Sequence, residues 1–178
     1  PQQNLRFEWL NARGAIARFD RNAIEIRVMD VQECPQADIA LAALVIDTVR
    51  ALYHEHFTPL ATQQSLSDTV LSEVLKHCIR YAEEASLPPS FLAAWGYPDP
   101  ACSAKNLWQH IRDVLIENAS LHTALWQQHL QYVLAHGTLA RRIQIHTGDH
   151  PRLSNLHQVY KLLSNRLATG NILAEPVA

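Results

Sequence analysis

Two charged side chains, Glu25 and Arg27, sit inside the run "NAIEIRVMDV" at residues 22–31. Ile24, Ile26 and Val28 alternate with them, the pattern of a strand with one apolar and one polar face. Residues two apart on a strand point the same way, roughly 6.5–7 Å apart along the chain. A carboxylate in that position can hold a hard divalent cation, and a guanidinium beside it can grip a phosphate or carboxylate through a two-donor fork. Transfer of a phosphoryl group to a carboxylate needs both functions on one rigid surface. Spacing alone favours the simpler account, a solvated face carrying a cross-strand ion pair.

Other residue groups invite the same weighing. Arg6, Arg13, Arg18, Arg21 and Arg27 crowd the first thirty residues, where they could bind an anionic substrate such as a nucleotide. Glu8, Asp20, Glu25 and Asp30 nearly cancel them. In "GTLARRIQ" at residues 137–144, Arg141 and Arg142 follow a helix stop at Gly137. They can reach a phosphate there, or merely complement the negative end of the preceding helix. His54 and His56 in "HEH" would stand about 200° apart on a helix, which does not converge them on a metal. His110, His122, His129 and His136 have the spacing of ordinary helix-face residues, expected at a surface or interface. Cys34, Cys78 and Cys102 are an odd number at wide spacing, which fits a reducing cytoplasm better than secretion. No GxGxxG, GxxxxGK, GxSxG or HExxH pattern occurs.

The elements that must position these residues begin with strands. "LRFEWLNAR" at residues 5–13 alternates Leu5, Phe7 and Trp9 with Arg6 and Glu8. "GAIARFD" then reads as a short connection through Gly14, so an antiparallel hairpin with residues 22–31 is expected. Two strands are not stable alone in water. Ile24, Ile26 and Val28 are therefore expected to lie under Leu41, Leu44 and Val45. Helices follow. One runs over residues 38–53 behind Pro35. Ser65 and Asp68 resemble a capping box before a second, whose apolar stripe includes Val70, Leu71, Val74, Cys78 and Ile79. Pro88 and Pro89 would stop it, and residues 87–103 read as a loop with one helical turn. Ser103 and Ser120 start two more helices, the second ending at Gly137. "TLARRIQIH" continues as a helix or extended turn, and Pro151 opens the last helix, which ends near Gly170. The expected class is α+β and mostly helical. A hairpin occupies residues 1–34, and four to six packed helices occupy residues 35–178.

With 178 residues and 48% apolar side chains the chain can build a real core. A net charge of −2 leaves no electrostatic footprint for nucleic acid or an acidic membrane. The most apolar run, "IALAALVIDTV", is broken by Asp47 and followed by Arg50, too short a span for a bilayer. Pro1 opens the chain in mid-stride and Met29 is its only methionine, so a piece of a longer protein is expected.

The stretch "WLNARGAIARFDRNAIEIRVMDVQECPQADIALAALV" at residues 9–45 resembles the closing strands and next helix of the glutamate–cysteine ligase type 2 family. These carboxylate–amine ligases belong to the glutamine-synthetase-like superfamily. The likeness lies in an aromatic strand ending in Arg13, in "ARF" at 17–19, in "IEIRVMDVQ" at 24–32, and in an alanine-rich helix after an acidic residue. "VLAHGTLARRI" at 133–143 is similar to the family's late Gly-x-x-Ala-Arg region, although Ile143 and Gln144 depart from it, and Ala23 stands where glutamine synthetases carry an arginine. The resemblance implies a funnel of antiparallel strands holding ATP and magnesium. It also implies phosphorylation of the γ-carboxylate of glutamate and displacement of phosphate by an amine such as that of cysteine. Glu25 would be a magnesium ligand, Arg27 the catalytic arginine facing the phosphoryl group, and Arg13 and Arg18 contacts to substrate or ATP. On this view the charged pair is one wall of a phosphoryl-transfer site in a cytoplasmic enzyme, and this chain alone is expected to be inactive. Exposed sheet edges lead to the expectation of a homo-oligomer. The alternative is a non-catalytic helical interaction or regulatory domain whose hairpin docks to a partner.

Overall fold

A computed structural model describes residues 14–173. The class is α+β and mostly helical, and the chain divides into two compact units, residues 1–31 and 32–178.

In the first unit, β1 (Ala15–Arg18) pairs antiparallel with β2 (Ala23–Ile26), Ala15 opposite Ile26 and Arg18 opposite Ala23. A 3-10 turn over Phe19–Arg21 joins them, and Asn22 closes it at φ 48°, a left-handed conformation that asparagine tolerates. The hairpin thus differs from the expected one. "AIAR" is a strand and not a connection, a role disguised by its two alanines, which are weak strand formers. The strand expected over residues 5–13 lies outside the described residues. Side-chain alternation puts Ile16, Arg18, Ala23 and Glu25 on one face, and Ala15, Ala17, Ile24 and Ile26 on the other. Ile16 is buried, whereas Ile24, Ile26 and Val28 are 59%, 40% and 52% exposed. Their expected burial is therefore overturned. Ribbons of four-residue strands have little area to bury, and here the buried aliphatic side chain stands on the charged face.

The second unit has six helices of nine or more residues and two short ones among the described residues. In α1 (Pro35–Tyr53) the proline occupies the first turn, where its missing N–H costs nothing. Ala37, Ala40, Ala43, Leu44 and Ala51 form its buried side. Small residues there allow close approach, and α1 packs chiefly on α6 (Thr123–His136). Ser65 Oγ hydrogen-bonds Thr62 O at the end of α2 (Leu60–Gln64). Ser67, not Ser65, caps α3 (Asp68–Tyr81), accepting from the Val70 amide at 3.3 Å. That helix stops where Ala82 adopts φ 49°, several residues before the prolines. Of its expected stripe Val74 is buried, Val70 and Cys78 pack on the core, and Ile79 is 64% exposed.

The expected loop at 87–103 is more ordered than its prolines suggest. Pro89 begins α4 (Pro89–Ala94), and β3 (Ser86–Leu87) pairs with β4 (Cys102–Ser103) across it. Ser103 caps α5 (Ala104–Glu117) as expected, accepting from the Asn106 amide at 3.3 Å. Leu107, Ile111 and Leu115 of α5 join Trp126 and Leu130 of α6, Leu92 of α4 and Leu44 of α1 in one apolar core. Gly137 at φ 83° ends α6, α7 (Leu139–Thr147) follows, and α8 (Leu153–Thr169) ends at Gly170, φ 72°. No helix among the described residues is long and apolar enough to cross a membrane.

Candidate functional site

The charged face of the hairpin is where Arg18, Glu25 and Arg27 meet. Register places Ile16 opposite Glu25, so Arg18, two residues on, lies diagonal to Glu25 on the same face. Arg18 Nη1 donates to Glu25 Oε2 at 3.1 Å, and Arg27 Nε lies 3.1 Å from Glu25 Oε1. Arg18 Nε and Nη2 also donate to the two carboxylate oxygens of Asp20 at 3.3 Å each, and Arg21 Nε stands 3.4 Å from Asp20. The result is an alternating string: Arg21, Asp20, Arg18, Glu25, Arg27. Hydrogen bonding from Arg18 is the main reason that Glu25 and Asp20 both titrate below the usual carboxylate range. The same bonds raise the Arg18 guanidinium above its ordinary value. The Arg27 amide donates to Gly14 O at 2.9 Å, extending the ladder past β2 and fixing the direction of that residue.

Three of the four residues singled out in the sequence are thus together, and Arg13 lies outside the described residues. Their arrangement suits an anion better than a metal. Each guanidinium has five N–H donors in a planar fork, and Glu25 fixes how two of these forks point. A hard cation instead takes about six oxygen ligands. Glu25 offers two, and both face guanidinium nitrogens. No group of three or more His, Cys, Asp or Glu among the described residues is placed to hold a metal ion. Glu25 alone supplies at most two of the oxygens that a magnesium ion takes.

The second arginine pair has separated. Arg141 Nε donates to Glu83 at 2.9 Å, and its Nη1 donates to Gln144 at 3.2 Å. Arg142 is fully buried, ion-paired with Glu33, and its guanidinium stands 5.3 Å from the Tyr132 ring centroid. Buried Arg142 thus fills neither of the expected roles, phosphate contact or helix-end cation.

The histidines also need correcting. His129 is buried, and burial pushes its pKa below the ordinary imidazole value. His110 Nε2 hydrogen-bonds Trp95 O at 2.9 Å, inside the fold. His122 contacts Asp47, which the sequence showed only as a break in an apolar run. The buried Asp47 carboxylate accepts from His122 Nδ1 at 2.8 Å, from the His122 amide at 3.0 Å and from Trp126 Nε1 at 2.8 Å. A carboxylate amid ten uncharged residues is the available signal, since a buried acid needs donors. Its partners stand 75 and 79 positions away and had no signal.

Comparison with known proteins adds little identity. No protein family and no solved structure matches the chain. Over 48 residues it is 50% identical to an uncharacterized protein of Archaeoglobus fulgidus. That stretch is 27% of this chain and 13% of the archaeal protein.

Proposed function

We propose that this chain is the C-terminal part of an ATP-dependent carboxylate–amine ligase of the glutamate–cysteine ligase type. The observation that carries the reading is the charged face of the hairpin, where Glu25 sits between Arg18 and Arg27 with 3.1 Å contacts to each. It falls within the sequence stretch at residues 9–45 that resembles the ligase family. Glu25, held ionised by Arg18, orients both guanidiniums. Arg27 then meets the phosphoryl group as it passes from ATP to the γ-carboxylate of glutamate. Arg18, with Arg13, contacts substrate or nucleotide. Fixed positive charge matters most in the transition state, where charge is spread over the transferring group. ADP departs, leaving an acyl phosphate, and an amine such as that of cysteine attacks the carbonyl carbon and expels phosphate. ATP and magnesium belong to this reading, with Glu25 as one oxygen ligand of the metal and the others drawn from beyond the described residues, as does a cytoplasmic enzyme acting as a homo-oligomer.

The test uses the complete reading frame that encodes this chain. Formation of γ-glutamylcysteine from glutamate, cysteine and ATP is measured for the native protein, Glu25→Gln and Arg27→Lys. Each variant is expected to lose on the order of a hundredfold in turnover, about 3 kcal/mol of transition-state stabilisation. Near-native turnover in both would reduce the network to a surface ion pair.

One observation favours a second reading, the interaction module. Ile24, Ile26 and Val28 are exposed, as a docking strand requires, and the charges of the opposite face are paired with one another. Absence of any ligase activity in the complete protein, with intact folding, would turn the choice towards it.

A further inference from the structure

Residues 171–173, just after α8, have no regular secondary structure, yet Leu173 is only 1% exposed and its N–H and C=O are both held by side chains. Its N–H donates to Glu33 Oε1 at 3.1 Å. Its carbonyl accepts from Arg142 Nη1 at 2.9 Å and from Tyr132 Oη at 3.1 Å. Glu33 and Arg142 are themselves buried and hydrogen-bonded to each other. A buried ion pair rarely stabilises a fold by itself, because desolvation offsets the attraction. This one turns hydrogen-bonding groups to the backbone of a single residue instead: Glu33 accepts from its N–H, Arg142 donates to its C=O alongside Tyr132, and the leucine side chain is enclosed. Strands on a sheet edge are recognised by the same alternation of donor and acceptor.

The site also has bonding capacity to spare. Arg142 Nε and Nη2 and Glu33 Oε2 are buried without hydrogen-bond partners. Two donors and one acceptor suit a further peptide unit, which brings one N–H and one C=O.

We infer that Glu33, Tyr132 and Arg142 form a binding site for an extended peptide segment with a leucine anchor. The chain's own Leu173 occupies it, and the same segment binds in trans once that occupant is displaced. The site stands apart from the ligase reading, since no residue of the hairpin takes part.

The test uses the full chain, native and Leu173→Asp, with a fluorescein-labelled peptide of residues 169–175, TGNILAE. An aspartate cannot enter an apolar space beside the Glu33 carboxylate, so the variant should vacate the site. The peptide is expected to bind Leu173→Asp at least tenfold more tightly than the native chain by fluorescence anisotropy. The same peptide with aspartate for leucine should not bind. In the native chain the Leu173 amide should resist hydrogen exchange as strongly as the core amides of α6. If Leu173→Asp does not fold, Leu173→Ala, which removes only the anchor, carries the same titration. A Leu173 amide that exchanges like unstructured chain overturns the inference. So does a folded variant that ignores the peptide.

Discussion

The two units of this protein handle charge in opposite ways. In the hairpin, arginines and carboxylates from a stretch of ten residues pair with one another at the surface. In the helical unit, Asp47, Glu33 and Arg142 are withdrawn from water and find partners 31 to 140 positions away. Exposed pairs exchange solvation for attraction at little net gain. Buried groups have no solvent to fall back on, so losing one partner leaves the other stranded. The hairpin's charges thus come from one short stretch of chain and remain partly in contact with water, whereas those of the helical unit hold distant segments together.

Arg142→Met should have the largest effect. It abandons the Glu33 carboxylate in the core and releases the Leu173 carbonyl. A cost of about 3–5 kcal/mol is expected in urea unfolding followed by tryptophan fluorescence. Replacing Glu33 and Arg142 together by methionine should cost less than Arg142→Met alone, because no unpaired charge remains. A single variant within about 1 kcal/mol of native would mean that the ion pair is no more committed than those of the hairpin.

Asp47→Ala comes next. It strands the His122 amide and Trp126 Nε1, both of which donate to the carboxylate. About 3 kcal/mol is expected, visible as a drop in melting temperature of roughly 6–12 °C at 2–4 °C per kcal/mol. Asp47→Asn keeps an acceptor and should recover part of the loss.

These two sites also mark where reading the sequence stopped. The periodicity of Leu107, Ile111 and Leu115, the Ser103 cap and the Gly137 and Gly170 stops were all visible, because each acts within a few residues. The Glu25–Arg27 pair was visible for the same reason, being two positions apart on a strand. What escaped were turns and remote partners. Ala82 ends α3 at a positive φ that alanine gives no reason to expect. Arg142 looked like a helix-end cation because nothing near it announces Glu33, 109 positions earlier. The β1 segment reads as a linker in the sequence, since its pairing with β2 and not its own alanines makes it a strand.

Acid should weaken the helical unit in two stages. Burial, reinforced by the Arg142 charge, outweighs attraction from Glu33 and Asp38 and lowers the pKa of His129. The unfolded chain therefore takes up a proton near pH 6.5 that the folded chain resists. Stability present above that pH is lost as pH falls through the lowered value. Glu33 follows. Burial opposes its ionisation, but hydrogen bonds from Arg142 and the backbone, with the Arg142 charge, outweigh burial and hold its pKa below 4.5. Its contribution is present above pH 4.5 and disappears as pH drops through the folded value. Melting temperature measured by circular dichroism from pH 8 to pH 3 should decline in both windows. His129→Leu should remove the first decline and leave the second. A flat profile down to pH 4.5 would show that His129 protonates as easily in the folded chain as outside it.

Glu25→Gln should have the smallest effect on stability, and for that reason it separates the two units most cleanly. The carboxylate is 40% exposed, so its charge is largely solvated before and after the change. The substitution keeps the shape of the side chain and one acceptor oxygen, so β1 and β2 can stay in register and melting should be indistinguishable from native. The arginines, however, lose the charge that orients them. Freed of Glu25, Arg18 still has Asp20 to pair with, only two residues away, while Arg27 loses its contact at Oε1. Substrate-dependent turnover of the complete protein should then fall while its melting curve stays in place. A variant that melts early would mean that the hairpin's charges are structural after all, and the contrast between the units would be lost. If melting and turnover are both unchanged, the network is neither structural nor catalytic, and the exposed Ile24–Ile26 face becomes the part of the hairpin to pursue.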